Sequence, residues 1–344
     1  MRAMSLGLVA LLLSTAAYAE TARVDASRAE LPVRTTIKQG ATKAPDGSTI
    51  GINNKYLTLN GKPWLPVMGE MHFTRVPEGD WDAELAKVKN SGVDIVATYL
   101  FWNHHEAMPG KFDFAGDRNL REFVRLAAKH DLKVVLRIGP WAHGEARYGG
   151  TPDWVVHKYP LRQSDPGYMT VVRRFWTALA EQVRGQMWKD GGPVVGIQIE
   201  NEYGEGGPLG GARHLLDLKN LAVELGFDTP LYTITAWPLR DYPKGEFALV
   251  SGGYVDLPWS TKREVLPASP NYTFRFRDRD GGDLGAQLRN NAPTSNNEET
   301  NIYSGRDEVP FLGAEFNGGL PSMYRRRPTV SPDDIASVVV TGVG

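Results

Sequence analysis

An α/β fold around a parallel sheet is what the sequence predicts, and three observations lead to it. Apolar, strand-like runs alternate with segments of helical periodicity from residue 64 onward. That spacing suits right-handed crossovers, since parallel neighbours need a connection long enough to hold a helix. The run from Val194 to Ile199 is apolar enough to be covered on both faces, as in a parallel sheet. Seven strands are countable, at 64–72, 93–102, 133–141, 193–202, 230–237, 248–255 and 310–316. The count favours a TIM (β/α) barrel over an open doubly wound sheet.

Taken in order, the chain opens with Arg2, an apolar run at 6–13 and Ala17–Tyr18–Ala19 before Glu20. This is the pattern of a secretory signal, too short to span a bilayer. The expectation is export to the periplasm or outside the cell, cleavage after Ala19 and no membrane attachment afterwards. Residues 20–50 are polar, with Gly, Pro and Thr punctuation, and read as a leader or edge segment. Residues 56–63 read as a hairpin turning at Asn60–Gly61. Helices are expected at 81–91, 117–131, 167–188 and 209–225. Residues 51–344 then form one catalytic barrel domain, interrupted by a long aperiodic loop at 258–309. Residues 331–341 read as the helix after the seventh strand. The expectation is therefore a barrel truncated before its eighth strand, without C-terminal β-sandwich domains.

Composition narrows the function. With 39 basic and 40 acidic residues interspersed, the net charge of −1 points to neither nucleic acid nor an anionic membrane as partner. A core of this size needs no disulfide staples, so the absence of Cys does not report the compartment. Asn271–Tyr272–Thr273 matches a glycosylation triplet, a pattern frequent by chance.

Chemistry gathers at the strand ends: Glu70 and His72, Tyr99, the segments 102–106, 139–145 and 201–203, and 313–317. In a barrel all of these converge on the C-terminal face. The segment 191–204 is the centre of the pattern. There Gln198, Glu200 and Glu202 share one strand parity, which would face the interior, while Val195, Ile197 and Ile199 share the other. His72, His104, His105 and His143 lack the spacing that puts two metal ligands on one element, so they read as scaffold and no metal or cofactor is expected. Without Cys or a G-x-S-x-G turn, a Ser or Cys nucleophile is discarded. The glycine-rich stretch at 204–211 lacks a P-loop Lys and carries Glu205, so it reads as a loop over the site. Paired carboxylates remain. Glu202 and Glu315 lie 113 positions apart, on what count as the fourth and seventh strands, which would set them on opposite sides of one barrel mouth. Hydrolysis with retention needs two carboxyls about 5–5.5 Å apart. Parity alone does not choose between Glu200 and Glu202.

These residues resemble glycoside hydrolase family 35, exo-acting retaining β-galactosidases with catalytic Glu residues on strands four and seven of a barrel. The most specific part is 191–204, which matches the family's G-G-P-x-x-x-x-Q-x-E-N-E-Y-G signature throughout. Asn60–Gly61–Lys62–Pro63, Gly69–Glu70–Met71–His72, Thr98–Tyr99, Trp102–Asn103 with His105–Glu106, Arg137 with Gly139–Pro140, and Gly149–Gly150 also match. The resemblance implies Glu202 as general acid/base, Glu315 as nucleophile and Asn201 as the partner of the sugar's 2-hydroxyl. It places Tyr99 and Glu145 on galactose hydroxyls, with Gly144 where a small residue's backbone reaches the ligand. It also implies that ionised Glu315 keeps Glu202 protonated by like-charge repulsion until Glu315 is glycosylated. Glu200 would sit a layer deeper, paired with Arg137 or a histidine. The chain departs from the family at His143–Gly144–Glu145–Ala146, where Cys–Ala–Glu–Trp is frequent, and at Pro140–Trp141, where Pro–Tyr is. The implied activity is metal-independent release of terminal β-galactosyl units from an oligo- or polysaccharide. A mannanase or glucanase of the same clan, or a non-catalytic sugar-binding fragment, are the alternatives.

Overall fold

A computed structural model describes residues 33–35, 37–234, 242–243, 245–247 and 249–251. The expected signal, the loop at 258–309, the seventh strand and Glu315 lie outside the described residues.

Three short strands, β1 (Ile50–Ile52), β2 (Leu57–Leu59) and β3 (Lys62–Trp64), form an antiparallel sheet in sequence order. Asn60 and Gly61 turn β2 into β3 with φ of 53° and 74°, the left-handed pair that a tight hairpin needs. The main sheet follows: β4 (Met68–Glu70), α1 (Trp81–Asn90), β5 (Ile95–Tyr99), the single turn α2 (Trp102–His105), α3 (Leu120–Lys129) and β6 (Lys133–Arg137). Next come a second single turn, α4 (Asp153–Val156), then α5 (Pro166–Gln182), β7 (Val194–Gln198), α6 (Gly211–Glu224), β8 (Leu231–Ile234) and β9 (Leu249–Ser251). Strands β4 to β9 pair in sequence order, and every pair is parallel. Six of the seven expected strands are thus present in an α/β parallel sheet.

Two apolar layers hold this sheet. On one face, Val96, Val134, Leu136, Val194, Ile197 and Leu231 pack against Trp81 and Leu85 of α1, Phe123 of α3, Phe175 and Trp176 of α5, and Leu218 of α6. On the other, Ile95, Ala97, Val135, Val195 and Tyr232 pack against Ile50, Ile52, Leu57, Leu59 and Trp64 of the small sheet. Residues 37–50, expected as a leader or edge, join that second layer through Ile37 and Ala44, and Trp188 Nε1 donates to Thr42 O at 3.1 Å. The apolar halves of the strands are thereby covered on both sides, and the buried polar groups gather toward their C-terminal ends.

Several expected boundaries are too generous, for local reasons. Asp165 caps α5 by accepting from Tyr168 N, but the helix stops at Gln182, with Gly185 in a left-handed conformation soon after. Trp188 then starts a separate turn. Strand β7 ends at Gln198 because Glu200 turns left-handed, with φ of 58°. The parity expected along β7 is also corrected. Val134 faces Val194 but Val135 faces Gly196, so Val195 is the extra residue of a β-bulge and joins the layer opposite the helices. Ile197 and Ile199 stay on the helix side as expected.

The two glycines that open the family-like segment have separate reasons. Gly191 is left-handed with φ of 88°, and the nearest atom to an added Cβ, in Pro45, lies at 3.7 Å. Gly192 has ordinary φ, but a Cβ would lie 2.1 Å from the Gln186 carbonyl oxygen, which is backbone and cannot swing aside. Replacing Gly191 by Ala should therefore cost about 1 kcal/mol of conformational strain. Gly192→Ala should cost about 3 kcal/mol, the upper end of an overpacking penalty. Urea midpoints at constant m-value test this, and a smaller loss for Gly192→Ala than for Gly191→Ala would refute it.

Candidate active site

The site begins with one register row. Tyr99 pairs with Arg137, and Arg137 with Gln198, across β5, β6 and β7. All three lie on the face opposite the helices: Tyr99 and Arg137 are two residues beyond Ala97 and Val135 of the apolar layer, and Gln198, after the bulge, is three beyond Val195. Arg137 is 2% exposed. A buried guanidinium is costly to desolvate, and three kinds of contact offset that cost here. Its Nη1 donates to both carboxylate oxygens of Glu70, at 2.8 and 2.7 Å. Its Nη2 donates to Asn201 Oδ1 at 2.9 Å. Its Cζ lies 3.8 Å from the centre of the Tyr99 ring, which is a cation–π contact. Burial alone would raise the pKa of Glu70; Arg137 and His72 beside it outweigh that and hold the carboxyl below its ordinary range.

Asn201 follows the end of β7 and is 1% exposed. Gln198 Nε2 also donates to its Oδ1, at 2.9 Å. Its Nδ2 lies 3.2 Å from His143 Nδ1, and the same ring nitrogen lies 3.5 Å from Glu202 Oε2. Glu202 keeps 20% of its side chain accessible, whereas Glu200 keeps none. Tyr99, Arg137, Asn201, His143 and Glu202 are therefore linked contact by contact. Gly144 joins them: with φ of 53°, an added Cβ would lie 2.7 Å from Phe101 Cε1 and 3.3 Å from Tyr99 Cδ2. Its carbonyl accepts from Arg75 Nη2. Glu145, next in the chain, is left-handed and exposed at the rim. Both segments that reach the site, 143–145 and 200–202, thus depend on non-glycine residues with positive φ, a conformation that costs on the order of 1–3 kcal/mol each.

Glu200 corrects the expectation that it shares a face with Gln198 and Glu202 and pairs with Arg137. The left-handed turn at Glu200 sends its carboxylate to the helix side, where Arg162 grips Oε2 through Nε at 3.0 Å and Nη2 at 2.7 Å. His214 of α6 lies 3.9 Å from Oε1, so the histidine half of the expectation holds. Arg162 Nη2 also donates to the Asn201 carbonyl at 2.7 Å, which ties this pair to the site's backbone. Burial raises the pKa of Glu200, and Arg162 and His214 reverse the shift to a net lowering. The other histidines expected as scaffold have structural partners. His104 Nδ1 meets Thr74 Oγ1 at 2.8 Å, and burial lowers the pKa of His105 to about 4. Trp102 stacks on Phe175 with ring centres 4.9 Å apart, so it is a core residue. Among the described residues, no group of three His, Asp or Glu side chains is placed to hold a metal.

Sequence reasoning missed Arg162 and gave His143 no part in the site. The presence of Glu200 implied a buried cation somewhere, but nothing in the spacing pointed 38 residues back to Arg162.

Residues 56–240 match the sequence profile of glycosyl hydrolases family 35, more than half of the chain. The chain belongs to glycosyl hydrolases family 35. Among curated relatives in the family, a β-galactosidase of Bos taurus is 39% identical over 153 residues, covering 44% of this chain and 23% of that protein. A β-galactosidase of Xanthomonas manihotis is 36% identical over 185 residues, covering 53% of this chain and 31% of the relative. The chain thus spans less than a third of the length of these relatives. Among solved structures, a GH5_18 protein from Streptomyces cattleya in complex with GlcNAc aligns with a TM-score of 0.43 and 16% identity, over 55% of this chain and 51% of that one. A polyextremophilic β-galactosidase from Halorubrum lacusprofundi aligns with a TM-score of 0.42 and 16% identity, over 60% of this chain and 42% of that one.

The Glu200–Arg162 pair yields a signed prediction. Arg162→Met leaves the buried carboxylate with His214 but without its bidentate cation and should destabilise the fold by about 3–5 kcal/mol at pH 7. Glu200's native pKa is depressed, so in the unsubstituted chain this carboxylate contributes stability above its unfolded pKa, lost as pH falls through the native value. In the variant burial dominates and the pKa rises, so protonation relieves the penalty. The stability gap between the two proteins should shrink as pH falls toward 5, as urea titrations at several pH values would show. A gap that widens toward acid would contradict the assignment.

Proposed function

We propose that this chain carries the catalytic region of an exported, retaining β-galactosidase acting on terminal, non-reducing galactosyl units. The observation that carries the reading is the pair at the end of β7. Asn201 is held rigidly by Arg137 and Gln198, and the partly accessible Glu202 follows it. An amide fixed in this way suits a sugar hydroxyl whose hydrogen bond strengthens in the transition state, and an accessible carboxyl beside it suits proton transfer. Membership in the family and the β-galactosidase relatives support the choice of sugar.

In this reading Glu315 attacks the anomeric carbon while Glu202 gives its proton to the departing glycosidic oxygen. The glycosyl–Glu315 ester forms as the aglycone leaves. Glu202, now a carboxylate, takes a proton from water, whose oxygen displaces Glu315 and releases galactose with its configuration retained. Tyr99, Gly144 and Glu145 line the sugar. Strand-end chemistry is characteristic of a closed (β/α) barrel, and the parallel sheet supports that architecture here. The signal-like first 19 residues support export.

Aryl β-galactosides should be cleaved in preference to aryl β-glucosides and β-mannosides. The reverse preference would favour a mannanase or glucanase of the clan, and galactose binding without turnover a sugar-binding fragment. Glu202→Ala should lose about 100-fold or more on substrates with poor leaving groups and far less on activated ones. Equal loss on both would count against the acid role. Glu315→Gly should be inactive yet rescued by azide to give α-galactosyl azide. Near-normal hydrolysis without rescue would remove the nucleophile assignment.

A further inference from the structure

Asn201 has an amide whose orientation is settled by its neighbours. Arg137 Nη2 and Gln198 Nε2 both approach the same side-chain atom at 2.9 Å, and both groups only donate. That atom is therefore the oxygen, and the nitrogen Nδ2 is turned toward His143. Nδ2 reaches His143 Nδ1 at 3.2 Å, so the ring nitrogen must offer a lone pair. The neutral ring then carries its proton on Nε2. The same Nδ1 lies 3.5 Å from Glu202 Oε2. The single lone pair is taken by the Asn201 amide, and the Glu202 carboxyl stands beside the same edge of the ring. The ring does not reach this place by chance of rotamer alone. Its backbone is left-handed with φ of 54°, and Trp141 meets it edge-on with ring centres 5.4 Å apart.

We propose that His143 is a positioning residue for the acid–base step, its Nδ1 lone pair holding the Asn201 amide and its ring edge setting the place of the Glu202 carboxyl beside one bound glycoside. This rests on the reading of Glu202 as acid/base and adds to it a residue that acts through two others.

Two substitutions separate positioning from packing. Asn at 143 places an acceptor oxygen near the place of Nδ1, whereas Leu fills the space without one. His143→Leu should lower kcat about tenfold or more on an aryl β-galactoside with a poor leaving group, while KM and the rate on an activated substrate change by less than about threefold. His143→Asn should recover most of the loss. Equal losses across leaving groups, or Asn no better than Leu, would overturn the proposal. A readout independent of turnover is nitrogen NMR of the imidazole in the full chain, where His143 should be the Nε2–H tautomer and its Nδ1 resonance should move on Asn201→Ala. An Nδ1–H tautomer would overturn the proposal whatever the substrate. Failure of the unsubstituted chain to cleave any aryl β-galactoside would count against the proposed function, and the tautomer would still decide the contact.

Discussion

The guanidinium of Arg137 is the group on which the candidate site depends. It lies at the end of the third strand of the main sheet and reaches Glu70, Tyr99 and Asn201, each from a different strand or strand end. Desolvating such a charge is costly, and removing one partner from a buried ion pair typically costs about 3–5 kcal/mol. The contacts around Arg137 therefore constrain one another: its carboxylate, ring and amide partners fix the relative places of β4, β5, β6 and the segment after β7. The apolar layers beneath hold the strands in register, and the cation sets the side chains at their ends.

A second buried pair performs a similar task on the other side of the same backbone. Glu200 and Arg162 lie between sheet and helices, and Arg162 also takes the Asn201 carbonyl. Asn201 is held through its side chain by one arginine and through its main chain by another. The left-handed residues on either side of it, Glu200 and Glu202, keep their conformation because both flanks are fixed in this way.

Much of this was legible in the sequence, and the exceptions share a cause. The parallel sheet, the hairpin at Asn60–Gly61 and the grouping of Tyr99, Gly144, Asn201 and Glu202 all follow from local patterns: periodicity, turn chemistry and a specific motif. The direction of Glu200 and Val195 did not follow. Strand parity assumes a regular pleat, and one residue of bulge or one positive φ reverses it. The partners of buried charges were illegible for another reason. Arg162 lies in a loop with no periodicity, and only the fold brings it to Glu200. His143 was legible as a departure from a family pattern, but not as a neighbour of both Asn201 and Glu202.

The bulge at Val195 has a consequence for how this strand can vary. Because one surplus residue sets the phase of everything after it, Gln198 lies level with Arg137 only while the count from Val194 is kept. Losing a single residue there would rotate the strand's end by half a turn, sending the amide into the oily helix layer and an isoleucine to the side of Arg137. Inside this segment the arithmetic of insertion and deletion is closed.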